Sequence, residues 1–481
     1  MQLTSLTFLL FLGATCLLYY LAPRILRKPI LLIANLYFYW SWQPGFLLLL
    51  LAGTGISYGC AIAAETKDVA RRRLWTTVGI LCLLGVLIVF KYLNFFGTTL
   101  LHLLGRSGSF KTGLLLPLGV SFYTFSATGY LFDVMREKIP AERNVLDFAV
   151  YHTFFPVILS GPICKARKIL PQLKALPGFE LPRLKHGLLR MAVGAVKKMV
   201  LADTLGIFVN RLYQDPGAVT GGIWLLGVIA YSLQIYLDFS GYSDMAIGAA
   251  KMLGVDVDEN FLRPYLGATV KDFWKRWHIS LTDWFREYLY FPLGGSRKGK
   301  YRTWLNVLIV FTVSGLWHGA GFTFVIWGLL NGVYQVTGGM LAPLRERAFG
   351  VVHLKQGNPV RRIISVLFCF LLATVAWTFF RANTVGEAVF ILKRILLIFR
   401  DGFGSQSLTR YLAWRQAGLI AVGVLTVFGF EILQERGVRL PRLEKTTFPC
   451  WLVLALLCIV IAVFGVYGQT FDPQSFVYFQ F

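Results

Sequence analysis

The sequence predicts an all-α polytopic membrane protein of about eleven spans with re-entrant elements and interfacial helices, and three observations carry that prediction. Of 481 residues, 56% are hydrophobic and only 15% are charged, against roughly 25% charged in soluble domains. Apolar runs recur from end to end with no long polar stretch between them, so the bilayer must cover surface that a soluble core cannot hide. The 48 Lys+Arg stand against 24 Asp+Glu, a formal charge of +24, and fall in short clusters between the apolar runs. That placement holds loops on the cytoplasmic side, near anionic lipid. It argues against nucleic acid, whose binding footprint gathers basic residues into one patch or stripe. A single integral membrane domain over residues 1–481 follows, in place of the three or so soluble domains that length alone would allow.

The spans are justified in order by apolar length and flanking charge. Residues 6–22 form the first, followed by Arg24, Arg27 and Lys28, so the N-terminus faces outward. The run 30–63 is too long for one crossing and breaks at Trp40-Ser41-Trp42-Gln43-Pro44-Gly45, an aromatic turn suited to the outer interface. Lys67, Arg71, Arg72 and Arg73 mark the inside, residues 75–96 return outward and 114–131 come back. Residues 145–161 are apolar but end in Ser160-Gly161-Pro162, and the basic stretch 165–186 cannot cross lipid, so a re-entrant element is expected there. Further, partly broken spans are expected near 188–213, 223–253, 305–341, 363–380 and 417–433. Arg436, Arg439, Arg442 and Lys445 precede the last one, 447–467, which places the tail 469–481 outside.

Seven cysteines form no CxxC pair. Six lie singly in apolar runs and are expected to be buried; Cys164 stands beside Lys165, where a basic neighbour can lower a thiol pKa. The densest polar-aromatic stretch, 271–288, puts Trp274, Trp277, His278, Leu281, Trp284 and Phe285 at helical spacing. It reads as an interfacial amphipathic helix, with His278 either a lining residue of a site or a satisfied imidazole. Arg297 and Lys298 follow a Gly pair that matches no P-loop, in a loop that reads as cytoplasmic and can attract a polyanion. His318 is the sharpest single residue, in Ser314-Gly315-Leu316-Trp317-His318-Gly319-Ala320-Gly321 within an apolar run. An ionisable group at that depth faces a cavity or a partner, and a neutral imidazole can take a proton from a hydroxyl and return it. The small residues around it either leave room for a substrate or admit a second helix. Asp238 and Asp244 also interrupt an apolar segment, where a carboxylate can orient a histidine, bind a cation or hydrogen-bond a broken helix. His102, His152, His186 and His353 read as structural or solvated, and no metal site is expected.

These blocks together resemble the membrane-bound O-acyltransferases, in particular the polysaccharide-modifying branch. Phe154-Phe155-Pro156 with Ser160-Gly161-Pro162-Ile163, the run from Tyr236 through Asp238 and Asp244 to Gly248, Phe273-Trp274-Lys275-Arg276-Trp277-His278-Ile279-Ser280-Leu281, and Ser314-Gly315-Leu316-Trp317-His318-Gly319 are similar to the family's sequence blocks, in family order. The resemblance implies a helical ring with a thin centre and an acyl donor entering from the cytoplasm. It puts the family's catalytic histidine on His318 and its second histidine on His278, with Asp238, Trp317, Ser314, Trp274 and Trp277 lining or orienting the tunnel. The implied donor is acetyl-CoA, whose phosphates suit Arg276, Arg297 and Lys298. The implied setting is the bacterial inner membrane, with an SGNH/esterase-fold partner outside that completes acetylation of a polysaccharide.

The C-terminal Phe476-Val477-Tyr478-Phe479-Gln480-Phe481 resembles a Phe-x-Tyr-x-x-Phe ending of bacterial envelope acylation systems, which implies an acyl-carrying role for Tyr478. From Gln469 the extended tail can reach ~33 Å, more than half of a ~30 Å hydrocarbon core; the competing reading is an aromatic interface anchor. Two alternatives stand beside acetyl transfer. One is D-alanyl transfer to teichoic acid from a carrier protein. The other is a transporter or flippase without acyl chemistry, for which the broken helices and intramembrane Asp238 and His318 speak.

Overall fold

The computed structural model describes residues 1–398, 408–438 and 443–467, and these contain helices and connecting loops but no strand. The tail with Tyr478 lies outside the described residues. The helices run in the order α1 (Leu6–Leu21), α2 (Arg24–Trp40), α3 (Leu47–Ala64), α4 (Val69–Leu87), α5 (Leu93–Leu103), α6 (Val120–Met135), α7 (Val145–His152), α8 (Ala166–Ala175), α9 (Leu181–Ala195) and α10 (Asp203–Gln214). They continue as α11 (Gly221–Met252), α12 (Val270–Arg276), α13 (Ile279–Phe285), α14 (Lys300–His318), α15 (Phe322–Met340), α16 (Ala342–Val351), α17 (Pro359–Arg381), α18 (Val385–Leu396), α19 (Trp414–Glu435) and α20 (Phe448–Phe464).

Among the described residues, five helical segments are long and apolar enough to cross a membrane: Pro44–Ala64, Val69–Leu103, Gly221–Met252, Pro359–Arg381 and Trp414–Glu435. A sixth arises if α15 and α16, bent by 58°, count as one broken span. The expected first and last spans are apolar but shorter helices, α1 and α20. The chain is thus a multi-pass membrane protein, several of whose apolar runs are divided into separate helices.

The divisions have local causes. The 30–63 run breaks where expected, α2 ending at Trp40 and a short 3₁₀ turn Pro44–Phe46 leading into α3. The 114–131 run is not helical throughout: its first residues form no regular structure, and α6 starts only at Val120, behind Pro117 and a left-handed Gly119 with φ +71°. A side chain on Gly119 would overlap the Ile158 carbonyl, so only glycine lets the chain turn there. The 305–341 run splits into α14 and α15 directly after His318. A Cβ on Gly315 would overlap Phe324 O, and one on Gly328 would overlap Phe311 O. These two glycines let the helix backbones touch, the close approach that drives association where lipid supplies no hydrophobic force.

The chain forms two compact units. One comprises Met1–Gly194, Tyr242–Glu259 and Leu443–Leu457; the other comprises Ala195–Gly241, Asn260–Arg442 and Cys458–Phe481. Within the first, Asn35 donates to the Thr153 hydroxyl (3.2 Å) and accepts from the Phe155 amide (3.0 Å), fixing the buried chain after α7. Arg190 joins Asp244 and Glu259 in the same unit. Cys16, Cys60, Cys164, Cys369 and Cys450 are buried, whereas Cys82 and Cys458 are exposed on their helices, contrary to the expected burial. Burial pushes the Cys164 thiol up to about 12, with Asp258 raising it further and Lys168 opposing.

Candidate active site

The site lies in the second unit. The helix expected over 271–288 is broken: α12 ends at Arg276, and α13 begins at Ile279. His278 stands in the break with φ +43° and ψ +55°, a left-handed conformation that a non-glycine residue holds only when its surroundings impose it. Two backbone hydrogen bonds impose it here. Leu262 N donates to Arg276 O (2.9 Å), and Ile279 N donates to Asn260 O (3.0 Å), bracketing Trp277 and His278. Nor are the aromatics of this stretch interfacial anchors, as amphipathic spacing suggested. Trp274, Trp277 and His278 are 5%, 1% and 0% exposed, because the break turns them into the protein.

His318 is the last residue of α14 and is buried. Its ring sits 4.9 Å from those of Trp317 and Trp327, 5.4 Å from Phe380 and 6.4 Å from His278. Phe239 meets His278 edge-on at 4.7 Å, and Trp377 bridges Trp277 and Trp327. Edge-to-face pairs of this kind contribute about 1 kcal/mol each beyond burial. Asn331 sets their orientation, accepting from Trp274 Nε1 (3.2 Å) and donating to Trp327 O (2.8 Å). Ser314 lies one turn before His318 on α14 and is also buried. Beside His318, the Phe324 ring occupies the space a side chain on Gly319 would need. Burial pushes the His278 imidazole down to about 3, which keeps it neutral at working pH.

Asp238 is buried within an ion-paired cluster. It pairs with Lys198 (2.5 Å), which also holds Asp203 (2.8 Å), all three nearly inaccessible. The ammonium answers the cost of burying the carboxylate. Arg276 binds Glu435 through both terminal nitrogens at 3.0 Å and Asp272 at 3.0 Å. Arg263 and Arg362 converge on the same Glu435, a carboxylate the sequence reading passed over. Arg297 and Lys298 are exposed on a separate loop, pinned where Asn306 donates to Gly295 O (2.9 Å). Sequence reasoning also missed Lys198, Asn260, Asn331 and Glu431, the last hydrogen-bonded to Tyr236 at depth. The signal for Lys198, Asn331 and Glu431 was a polar residue inside an apolar run; Asn260 follows Asp256, Asp258 and Glu259 and carried no such signal. Among the described residues, no cluster of three or more His, Cys, Asp or Glu has metal-binding geometry.

Two buried imidazoles with 6.4 Å between ring centres, set among tryptophan and phenylalanine rings in a multi-pass helical protein, are residue types suited to proton transfer at an acyl or hydroxyl group. The chain belongs to the membrane-bound O-acyltransferase family, whose model matches residues 134–380, and it is an O-acyltransferase. It is 34% identical to the probable alginate O-acetylase AlgI of Pseudomonas putida, over 96% of each chain. It is 33% identical to the peptidoglycan O-acetyltransferase of Helicobacter pylori, over 80% of this chain and 76% of that one. A teichoic acid D-alanyltransferase of Streptococcus thermophilus is 30% identical over 46% of this chain and 56% of its own.

Proposed function

We propose that this protein passes acetyl groups from cytoplasmic acetyl-CoA through the membrane for O-acetylation of an exported polysaccharide. The observation that carries this reading is the His278–His318 pair, 6.4 Å between ring centres and walled by tryptophan and phenylalanine. His318 takes the proton of the attacking hydroxyl as its oxygen bonds to the thioester carbonyl carbon. The C–S bond then breaks, and the imidazolium returns the proton to the leaving thiolate. His278, neutral and 6.4 Å away, supplies a second hydrogen-bonding nitrogen. The attacking hydroxyl is the Tyr478 phenol. With a phenol pKa near 10 against a thiol near 8.5, the tyrosyl ester keeps most of the transfer potential for an extracytoplasmic esterase-fold partner.

Support for acetyl over D-alanyl transfer comes from coverage. The relatives named as O-acetylating enzymes align with at least three-quarters of this chain, the D-alanyl relatives with under half. The test is to supply membranes with acetyl-labelled CoA. Covalent label is expected on the chain, absent in both His318→Ala and Tyr478→Phe although each protein is folded and present. Label persisting in His318→Ala rejects the proton-transfer role; label persisting in Tyr478→Phe rejects the tyrosine carrier.

A further inference from the structure

Asn260 is completely buried and sits 18 residues before His278 in sequence. Its side-chain Oδ1 lies 3.2 Å from the Ser280 backbone N, 2.9 Å from Ser280 Oγ and 3.2 Å from His278 Nδ1. A backbone N–H can only donate, so the atom facing it must be the amide oxygen and not the NH₂ group. That settles the third contact. An amide oxygen has no hydrogen to give, so His278 Nδ1 must carry the proton and donate it. The other ring nitrogen of the neutral imidazole, Nε2, then holds the lone pair. The main chain of Asn260 works toward the same end: its carbonyl accepts from Ile279 N, holding the left-handed backbone of His278 while the side chain holds the ring.

We propose that Asn260 is a positioning residue for acyl transfer, locking His278 as the Nδ1–H tautomer and so setting which ring nitrogen carries the lone pair beside His318. The inference rests on the acyl-transfer reading above. It adds the tautomer, the residue that imposes it and the reason a buried amide belongs at that position. A hydrophobic residue of similar size would fill the space and leave the tautomer to chance. An aspartate would still accept from Nδ1–H and Ser280 N, and so would preserve the lock. His318 is the titratable group the geometry places against His278 on the α14 side, and Trp317 and Phe239 flank it without charge.

The test separates the tautomer from the chemistry. Protein with ¹⁵N-labelled histidine, reconstituted in lipid near neutral pH, gives distinct nitrogen signals for protonated and unprotonated ring positions. There are six histidines, and the spectrum of His278→Gln subtracts the one of interest. The parent is expected to show His278 as Nδ1–H with an unprotonated Nε2. An Nε2–H signal overturns the proposal whatever the activity, and does so without needing a variant that folds. Asn260→Leu is expected to admit the Nε2–H form and lower kcat by about 100-fold with little change in KM. Asn260→Asp is expected to retain the Nδ1–H form and most turnover. Full turnover in folded Asn260→Leu overturns the positioning role. If the parent takes no acetyl from CoA at all, the substrate reading fails while the nitrogen spectrum still decides the tautomer.

Discussion

The first unit buries His152 and the second buries His278 and His318, and the comparison of His152 with His278 turns on what holds each ring nitrogen. In the first unit His152 caps the end of α7, stacked on Phe148 at 5.9 Å. Burial pushes it down to about 4, much as burial pushes His278 down to about 3. Depth and ionisation therefore do not tell the two apart. Hydrogen bonding does. His152 Nε2 lies 3.2 Å from Tyr123 O, a carbonyl that can only accept, so the proton is on Nε2, and Nδ1 accepts from the Thr54 hydroxyl at 2.8 Å. Both nitrogens of His152 are held by the fold. His278 has the opposite tautomer, with Asn260 holding Nδ1 and the His318 ring 6.4 Å away.

The largest effect that sharpens this contrast comes from removing one imidazole from each unit. His318→Gln is expected to cut acyl transfer by about 10²–10⁴-fold with the folded amount unchanged. His152→Phe keeps the ring and the stacking but leaves the Tyr123 carbonyl without its donor, at about 1–3 kcal/mol of stability, with turnover per folded molecule close to the parent's. Thermal midpoints and labelled-acetyl transfer measured on the same preparations check both. Should His152→Phe lose turnover without losing stability, the division between the two units is wrong.

How far the sequence foretold this depends on which force set each feature. The all-helical membrane class was legible because apolar content and charge spacing are one-dimensional. The hairpin at 40–45 was legible because proline and glycine act locally. His318 stood out because an ionisable residue in an apolar run has few cheap explanations. The break at His278 was not legible. Spacing over 271–288 is helical, and it is the distant Asn260–Leu262 segment that imposes the left-handed turn through two backbone hydrogen bonds. Asp238 was recognised as unusual, but its partner Lys198 sits 40 residues earlier, and no local pattern joins them. The role of small residues near His318 was left open between chamber and helix contact, and packing of Gly315 against Phe324 and Gly328 favours contact.

The Lys198–Asp203–Asp238 cluster offers the next largest effect, and it separates scaffold from site within the second unit. One ammonium faces two carboxylates, with side chains no more than 8% exposed. Lys198→Met removes the only cation in this trio and leaves two acidic groups buried together, a change that costs about 3–5 kcal/mol where a buried pair is broken. The triple change Lys198→Met, Asp203→Leu, Asp238→Leu removes charge and counter-charge together and is expected to recover much of the thermal midpoint. If Asp238 serves only to anchor α11, the triple variant also recovers acyl transfer. Recovery of stability without transfer would instead give Asp238 a direct part in the chemistry.

The smallest expected effect is a pH dependence of stability. A histidine whose folded pKa is depressed binds its proton first in the unfolded chain. As pH falls below about 6.5 the unfolded state gains a proton that folded His152 refuses until about pH 4, so stability is complete above that window and drains away through it. His278 does the same down to about pH 3. Replacing His152 by Phe removes one of these two contributions. The thermal midpoint of His152→Phe, already lower at neutral pH, is therefore expected to fall less steeply than the parent's between pH 6.5 and 4.5. Parallel slopes would mean that His152 reaches solvent or a partner carboxylate before the protein unfolds, and that its nitrogens are not held as the Thr54 and Tyr123 contacts require.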